Sequence, residues 1–520
     1  MDGQVNRVLV VGGGTAGWLT AGILASTLNS KDENSVQITL VESPNIPILG
    51  VGEGTWPTIR STLAKMGIDE GEFMRECDAT FKQGSEFVNW MNPVNGKTHS
   101  YYHPLSAVYH SAYDFNLTPY WLSGGYTDLP YDLAVASQSA ICDLGLAPKK
   151  ITTPAFEAIQ NYSYHLNANK FADFLTKHCT ENLGVEHLFA NVKSVNLDDS
   201  GFIKSVDTDV DDHSELNADF FVDCTGSRSV LMGDALGVKW HGIEDYIFND
   251  TALAMQVPYP QQDTPIATHT IATAQDAGWT WDIGLNNRRG VGYVYSSSHT
   301  SDDKAEQTLR QYIGSASDDL EARKLKLTVG YRQKFWNNNC LAIGMSAAFI
   351  EPLEASAIFL IDAGATMLAE SFPHSKSVMG ILEKQYNSTF QLRWDKTLDF
   401  VKLHYCISNR RDTAYWIDNC RQETIPESLQ EKLMLWQHQI PSKYEFDYAF
   451  EPFVLDSYLF VLYGMNFQTN LSDYSAKFDN GKHAQMMFDN IARLTERLKG
   501  ELPAQRELVD KVYQYGFQSI

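Results

Sequence analysis

The stretch Val8-Leu9-Val10-Val11-Gly12-Gly13-Gly14-Thr15-Ala16-Gly17 decides how this chain folds. Four apolar, β-rich residues suit a parallel strand buried on both faces. The glycines that follow fit G-x-G-x-x-G, and residues 15–29 read as an apolar helix. In such a turn the first glycine makes the bend and the second lets backbone approach a pyrophosphate. The third lets the helix pack close to the strand. The helix N-terminus presents free N–H groups and a positive dipole end to phosphates. A polar loop at 30–35 leads to a second strand at 36–41, ending in Glu42, an acid placed to bind a ribose hydroxyl pair. This βαβ unit predicts an α/β dinucleotide-binding domain. Residues 8–25 carry no charge and mimic a signal peptide, but glycines at 12, 13, 14, 17 and 22 would break its apolar helix.

Composition narrows the function. The 520 residues are 43% hydrophobic and 20% charged, with a net charge of −23. That hydrophobic fraction excludes a disordered chain. The acidic balance lacks the basic stripe that nucleic acid needs and would be repelled by an anionic membrane surface. Seven cysteines, an odd number without a CxxC pair, argue against a disulfide framework or a zinc site and predict a reduced, cytoplasmic, soluble protein without a metal. The other long apolar stretch, 340–369, is interrupted by Glu351, Glu354 and Asp362. Strands are expected near 202–206, 220–222 and 290–295. From about Ser375 the pattern turns to long helices at 378–393 and 426–438, the second opening with Pro426 in its first turn.

Two later elements favour FAD over NAD. Phe220-Phe221-Val222-Asp223-Cys224-Thr225-Gly226 is an apolar strand running into Asp-x-Thr-Gly, as flavoproteins carry near the adenosine half of FAD. Cys340-Leu341-Ala342-Ile343-Gly344 is a third strand-then-glycine element, where flavoproteins hold the ribityl chain. No second complete G-x-G-x-x-G follows, so no separate nicotinamide domain is expected.

Trp279-Thr280-Trp281-Asp282-Ile283-Gly284 reads as a strand whose two tryptophans share a face. An aromatic core pair would explain it. The segment is also similar to the Trp-x-Trp-x-Ile-Pro signature of flavin-dependent halogenases, the tryptophan-halogenase-like family, with Gly284 in place of proline. Further segments resemble that family in the same order: Gly50-Val51-Gly52-Glu53-Gly54-Thr55-Trp56-Pro57, Phe81-Lys82-Gln83-Gly84-Ser85-Glu86-Phe87-Val88-Asn89-Trp90, Tyr164-His165-Leu166-Asn167-Ala168, Glu351-Pro352-Leu353-Glu354 and Arg411-Asp412-Thr413-Ala414-Tyr415-Trp416. The resemblance implies an α/β, two-dinucleotide-domain flavoprotein-monooxygenase-like fold. An FAD-binding domain with substrate-site insertions would span 1–375, and a mainly helical C-terminal domain covering the substrate site would span 376–520. It implies an FAD site made of Gly12, Gly14, Thr15, Ala16, Gly17, Glu42, Ser43, Leu49, Glu53, Gly54, Thr55, Val192, Gly344, Met345 and Ile358.

The resemblance also assigns chemistry. Reduced FAD, O₂ and a halide ion, bromide or chloride, would make hypohalous acid. That acid would travel to Lys82, which passes electrophilic halogen to an aromatic ring. A lysine between Phe81 and Gln83 is by default a solvated surface residue, so this role needs burial. Burial would favour the neutral, nucleophilic amine. Glu354 is the family's catalytic glutamate, acting on the lysine species or taking the ring proton. A helix-dipole carboxylate is its bland alternative. Pro352 at a helix N1 position would make Glu351 an N-cap-like residue. Halide falls to the amides of Ser356 and Ala357, in Ala355-Ser356-Ala357 where the family has Ser-Thr-Gly.

Departures bear on substrate. Trp279 and Trp281 would separate flavin from substrate, and His103 keeps half of the His-x-Phe indole sandwich while Leu105 loses its ring. Tyr458-Leu459 stands for the tyrosine pair that holds the amino-acid backbone. The expectation is a small indole-like aromatic, with free tryptophan a poor substrate. A separate NAD(P)H-dependent flavin reductase is the implied partner, and a homodimer stays open. A flavin-dependent aromatic hydroxylase and a catalytically silent flavin-binding protein are the rival readings.

Overall fold

Arg7–Val11 forms the strand expected of it, in a six-stranded sheet of the computed structural model. The structure describes residues 3–29, 35–46, 52–447, 449–472 and 478–518. Contacts divide the chain into two interleaved units. One comprises Met1–Asp78, Leu166–Ile243 and Thr328–Trp394, and the other Ala79–His165, Glu244–Leu327 and Asp395–Ile520. The units interleave, and the last passage between them falls at 394/395, inside the helix Lys376–Cys406. The physical reason is strand pairing. Phe220–Asp223 and Cys340–Ala342 return from far along the chain to complete the sheet that Arg7–Val11 begins.

In the first unit the sheet order is Trp336–Asn337, Cys340–Ala342, Phe220–Asp223, Arg7–Val11, Gln37–Glu42, Glu186–Phe189. Neighbours are parallel except the first two, which form a short antiparallel pair. The central strand is buried from Val8 to Val11, as its unbroken apolar run requires. The helix Thr15–Leu28 is buried from Gly17 to Ala25 because the helices Ala168–Glu181 and Ser356–Glu370 both pack on it. An all-round apolar helix needs such cover. The uncharged run at 8–25 is therefore strand, turn and buried helix. Among the described residues no helix is long and apolar enough to cross a membrane.

The second unit holds a seven-stranded sheet in the order Arg323–Lys326, Thr251–Pro258, Arg288–Tyr295, Gly278–Gly284, Thr270–Gln275, Gly84–Val88, Ser100–Pro104. Its pairs are antiparallel except Thr270–Gln275 with Gly84–Val88. The C-terminal region is helical, with Leu455–Gly464, Gly481–Glu501 and Gln505–Tyr515. Leu455–Gly464 packs on Ser100–Pro104. The helix expected at 426–438 runs Glu427–Trp436, with Pro426 as its N-cap rather than in its first turn.

Candidate active site

The parallel strands of the first unit end at a cavity of about 500 Å³, a volume suited to a cofactor. Its floor is the glycine turn. Gly12 has φ +116°, and a Cβ there would stand 2.2 Å from the Cys224 carbonyl oxygen. A Cβ on Gly17 would stand 1.8 Å from the Gly12 oxygen, so this residue lets the helix close onto the strand. Gly14 differs: a Cβ there meets nothing within 4 Å, because it faces the open cavity. Gly14 is also the N-cap of Thr15–Leu28 and has no side chain to cap with, leaving helix N–H groups for a ligand. Backbone exposed where a side chain would intrude is the cradle a pyrophosphate requires, so these residues fit a dinucleotide flavin.

Of the residues expected to hold FAD, Gly12, Gly14, Thr15, Ala16, Glu42, Ser43, Glu53, Val192, Gly344, Met345 and Ile358 line this cavity, together with Ser356 and Ala357. Gly17, Gly54 and Thr55 do not line it, and Leu49 lies outside the described residues. Glu53, partly buried at the cavity wall, has its carboxyl pushed up to about 7 by burial. Lining residues not selected from sequence include Asn191, Thr225, Ser227 and Arg228, and the aromatic rings of Tyr386, Phe390 and Trp394. The Asp223-Cys224-Thr225-Gly226 turn was the one available signal. Asp223 organises that turn by accepting from Thr225 through Oδ1 and from the amides of Leu231 and Met232 through Oδ2.

Glu354 is 4% exposed and Glu351 is buried. Pro352 does not begin a helix. Its carbonyl accepts from the Ala355 amide at 3.1 Å in a turn, and the helix starts later, at Ser356. Ala355 is its N-cap, in the left-handed region at φ +54° with no side-chain cap. Ser356 and Ala357 occupy its first turn, where alanine is at home; the strained backbone is at Ala355 and not where the family's glycine stands. The Trp56 indole donates to the Glu354 carbonyl at 2.8 Å and stacks on Phe359 at 4.3 Å, fixing the turn.

Lys82 belongs to the second unit and is 2% exposed. It ends the strand Thr80–Lys82, antiparallel to Ser163–Leu166, with Thr80 opposite His165 and Lys82 opposite Ser163. Residues opposite each other, and two apart, share a face. Lys82 therefore shares a buried polar face with Thr80, Ser163 and His165. His165 Nε2 hydrogen-bonds Thr270 Oγ1 at 2.8 Å. Burial first, then the charges of Lys82 and His269, hold its imidazole well below the usual range and so neutral. Gln83 locks the position: its amide donates to Thr268 O at 2.7 Å, its side chain to Leu146 O at 2.7 Å, and its carbonyl accepts from Leu105 at 2.9 Å.

His103, on Ser100–Pro104, meets the rings of Phe400 at 5.6 Å and Phe460 at 6.2 Å, neither of which carries a sequence motif. Tyr458 and Leu459 are fully buried, Tyr458 among Phe400, Trp436 and Phe446. Trp279 and Trp281 lie on one strand with ring centroids 6.4 Å apart. Trp281 fits because its cross-strand partner is Gly292, whose Cβ would collide with the indole at 2.1 Å. At Gly284 a Cβ would stand 2.8 Å from Ile266 and 2.9 Å from the Tyr259 hydroxyl, so neighbours have closed over the glycine.

Comparison with known proteins agrees with this architecture. The family model described as tryptophan halogenase matches residues 7–479. The chain is 35% identical to tryptophan 6-halogenase SttH of Streptomyces toxytricini, over 88% of this chain and 89% of that protein. It is 33% identical to tryptophan 7-halogenase RebH of Lentzea aerocolonigenes, over 84% and 83%. The crystal structure of a tryptophan halogenase from Shewanella frigidimarina superposes with a TM-score of 0.95 at 46% identity, covering 99% of each chain.

Proposed function

The chain belongs to the tryptophan halogenase family, and on that premise we propose that it is a reduced-FAD- and O₂-dependent halogenase that delivers electrophilic halogen through Lys82 to an electron-rich, indole-type ring. The observation that supports this reading is Lys82 itself, 2% exposed on the strand Thr80–Lys82 and standing within the Phe81–Trp90 segment that resembles the family's lysine-bearing stretch. When bound, reduced flavin with O₂ and halide supplies hypohalous acid. Everything after that falls to the chain. The Gly12–Gly17 turn and Glu42 hold the cofactor, and the amides of Ser356 and Ala357 hold the anion. The Lys82 amine attacks the halogen: an N–X bond forms as O–X breaks, and water leaves. One fixed amine orients a reagent that is unselective when free. The ring then takes the halogen from nitrogen, Glu354 removes the proton from the ring carbon, and the amine regains one.

The substrate class follows from what His103 and its neighbours offer. The rings of Phe400 and Phe460 pack beside His103, while Leu105 and Leu459 stand where the resemblance expects a ring and a hydroxyl-bearing side chain. Burying both charges of free tryptophan without partners costs several kcal/mol, of the order known for desolvated ions. A neutral indole escapes that cost. Relatives named for tryptophan therefore share the chemistry, and this chain prefers smaller aromatics. A separate NAD(P)H-dependent reductase supplies reduced flavin, since the sequence carries no second dinucleotide turn. The protein works in the cytoplasm, as monomer or homodimer.

The test is product mass after incubation with reduced flavin, O₂, bromide or chloride, and either indole or tryptophan. Haloindole as the main product is expected. A hydroxylated product, or none, overturns the halogenase reading. Faster turnover of tryptophan at one ring position overturns the substrate assignment alone.

A further inference from the structure

Glu42 ends the strand Gln37–Glu42, and its carboxylate is held from two sides. Oε2 lies over Gly13, only 1.5 Å from where a Cβ on that glycine would stand. Oε1 accepts a hydrogen bond from His187 Nε2 at 2.8 Å. His187 lies on the neighbouring parallel strand Glu186–Phe189, where it pairs with Leu40 while Glu42 pairs with Phe189. The imidazole is wedged in turn. Trp18 meets it edge-on, with centroids 4.8 Å apart at 84°, and Phe189 packs at 4.3 Å. Trp18 is buried and belongs to Thr15–Leu28, the helix whose N-terminus forms the phosphate turn. One rigid element thus sets both the phosphate cradle and the ring that aims the acid.

A carboxylate accepts at about four lone-pair sites, so the bond from His187 leaves room for the two hydroxyls of a ribose. A glutamate free to rotate would have to be ordered when the ligand arrives; one already held does not. We propose that His187 is a positioning residue for the adenosine ribose of the cofactor, and that through Glu42 it makes this chain select the dinucleotide flavin over the mononucleotide. The proposal rests on Glu42 being the ribose acid. Flavin mononucleotide has no adenosine and gains nothing from His187, and this supplies the internal control.

The experiment measures FAD and FMN affinity by flavin fluorescence for the whole protein and two variants. His187→Phe keeps a flat ring against Trp18 and Phe189 but removes the N–H. It should weaken FAD by up to about tenfold, the cost of ordering one freed side chain on binding, and leave FMN unchanged. His187→Gln can still donate to Glu42 and should recover most of the loss. Equal weakening of both flavins by both variants would show a merely structural histidine and overturn the inference. Unchanged FAD affinity in His187→Phe would also overturn it. A wild-type protein that does not prefer FAD over FMN would remove the ribose reading of Glu42 itself, an outcome distinct from a preference that survives the loss of His187.

Discussion

Replacing Gly14 by valine separates folding from cofactor binding, because the glycines of one turn answer to different neighbours. A Cβ on Gly14 meets no protein atom within 4 Å, so the variant should fold with its sheet intact. The added carbons point where the pyrophosphate would approach backbone N–H groups. A hydrogen bond to a charged group contributes about 1.5–3 kcal/mol. Losing two costs about 3–6 kcal/mol, which is between ~10²- and ~10⁴-fold in flavin affinity. Gly17→Val is the contrast. Its Cβ would stand 1.8 Å from the Gly12 carbonyl oxygen, a backbone atom that cannot swing away, so this variant should fail to fold. The assay pairs a flavin titration with a thermal melt of the flavin-free protein. Gly14→Val melting like wild type but binding flavin at least a hundredfold more weakly is the expected result. Flavin affinity within about threefold of wild type would refute the placement of the pyrophosphate on this turn.

Lys82→Ala should abolish halogenated product by mass spectrometry while flavin reoxidation by O₂ continues near the wild-type rate; regioselective halogenation by the variant would show that Lys82 is not the halogen carrier. Glu53, with its carboxyl raised from 4.5 to about 7, is neutral in the folded protein at low pH and charged at a cost above pH 7. A raised acid makes the folded state bind more protons, so its contribution to stability declines as pH rises from about 4.5 through 7. Glu53→Gln should therefore match wild type in melting at pH 5 and exceed it at pH 8, by as much as about 3 kcal/mol; parallel melting profiles across that range would sink the argument. Ala355 sits at φ +54°, so Ala355→Gly should stabilise the protein by about 1 kcal/mol, read by denaturant titration, and a destabilised variant would show that the turn is not strained.

The strand Gly278–Gly284 and the helix Thr15–Leu28 were legible because each is written in neighbouring residues. Alternation puts Trp279 and Trp281 on one face whatever surrounds them. The glycine spacing dictates a strand–turn–helix because only glycine suits Gly12 at φ +116° and Gly17 against its carbonyl. From that local logic came the α/β class, the acid at Glu42 and the order of motifs that marks the family. Tertiary structure alone decided what those residues touch. Lys82 reads as a surface residue in any window of sequence; it is buried because Gln83 is tied to Thr268 and Leu146 and because Ser163–Leu166 pairs beside it. The Glu354 turn was misjudged at Pro352 because proline permits a helix start without requiring one, and here Ala355 takes the cap. His187 reaches Glu42 from 145 residues away, and His103 finds Phe400 and Phe460 from across the chain. Hydrogen-bond partners and burial are properties of strands that meet after long excursions, and no local pattern encodes where such excursions end.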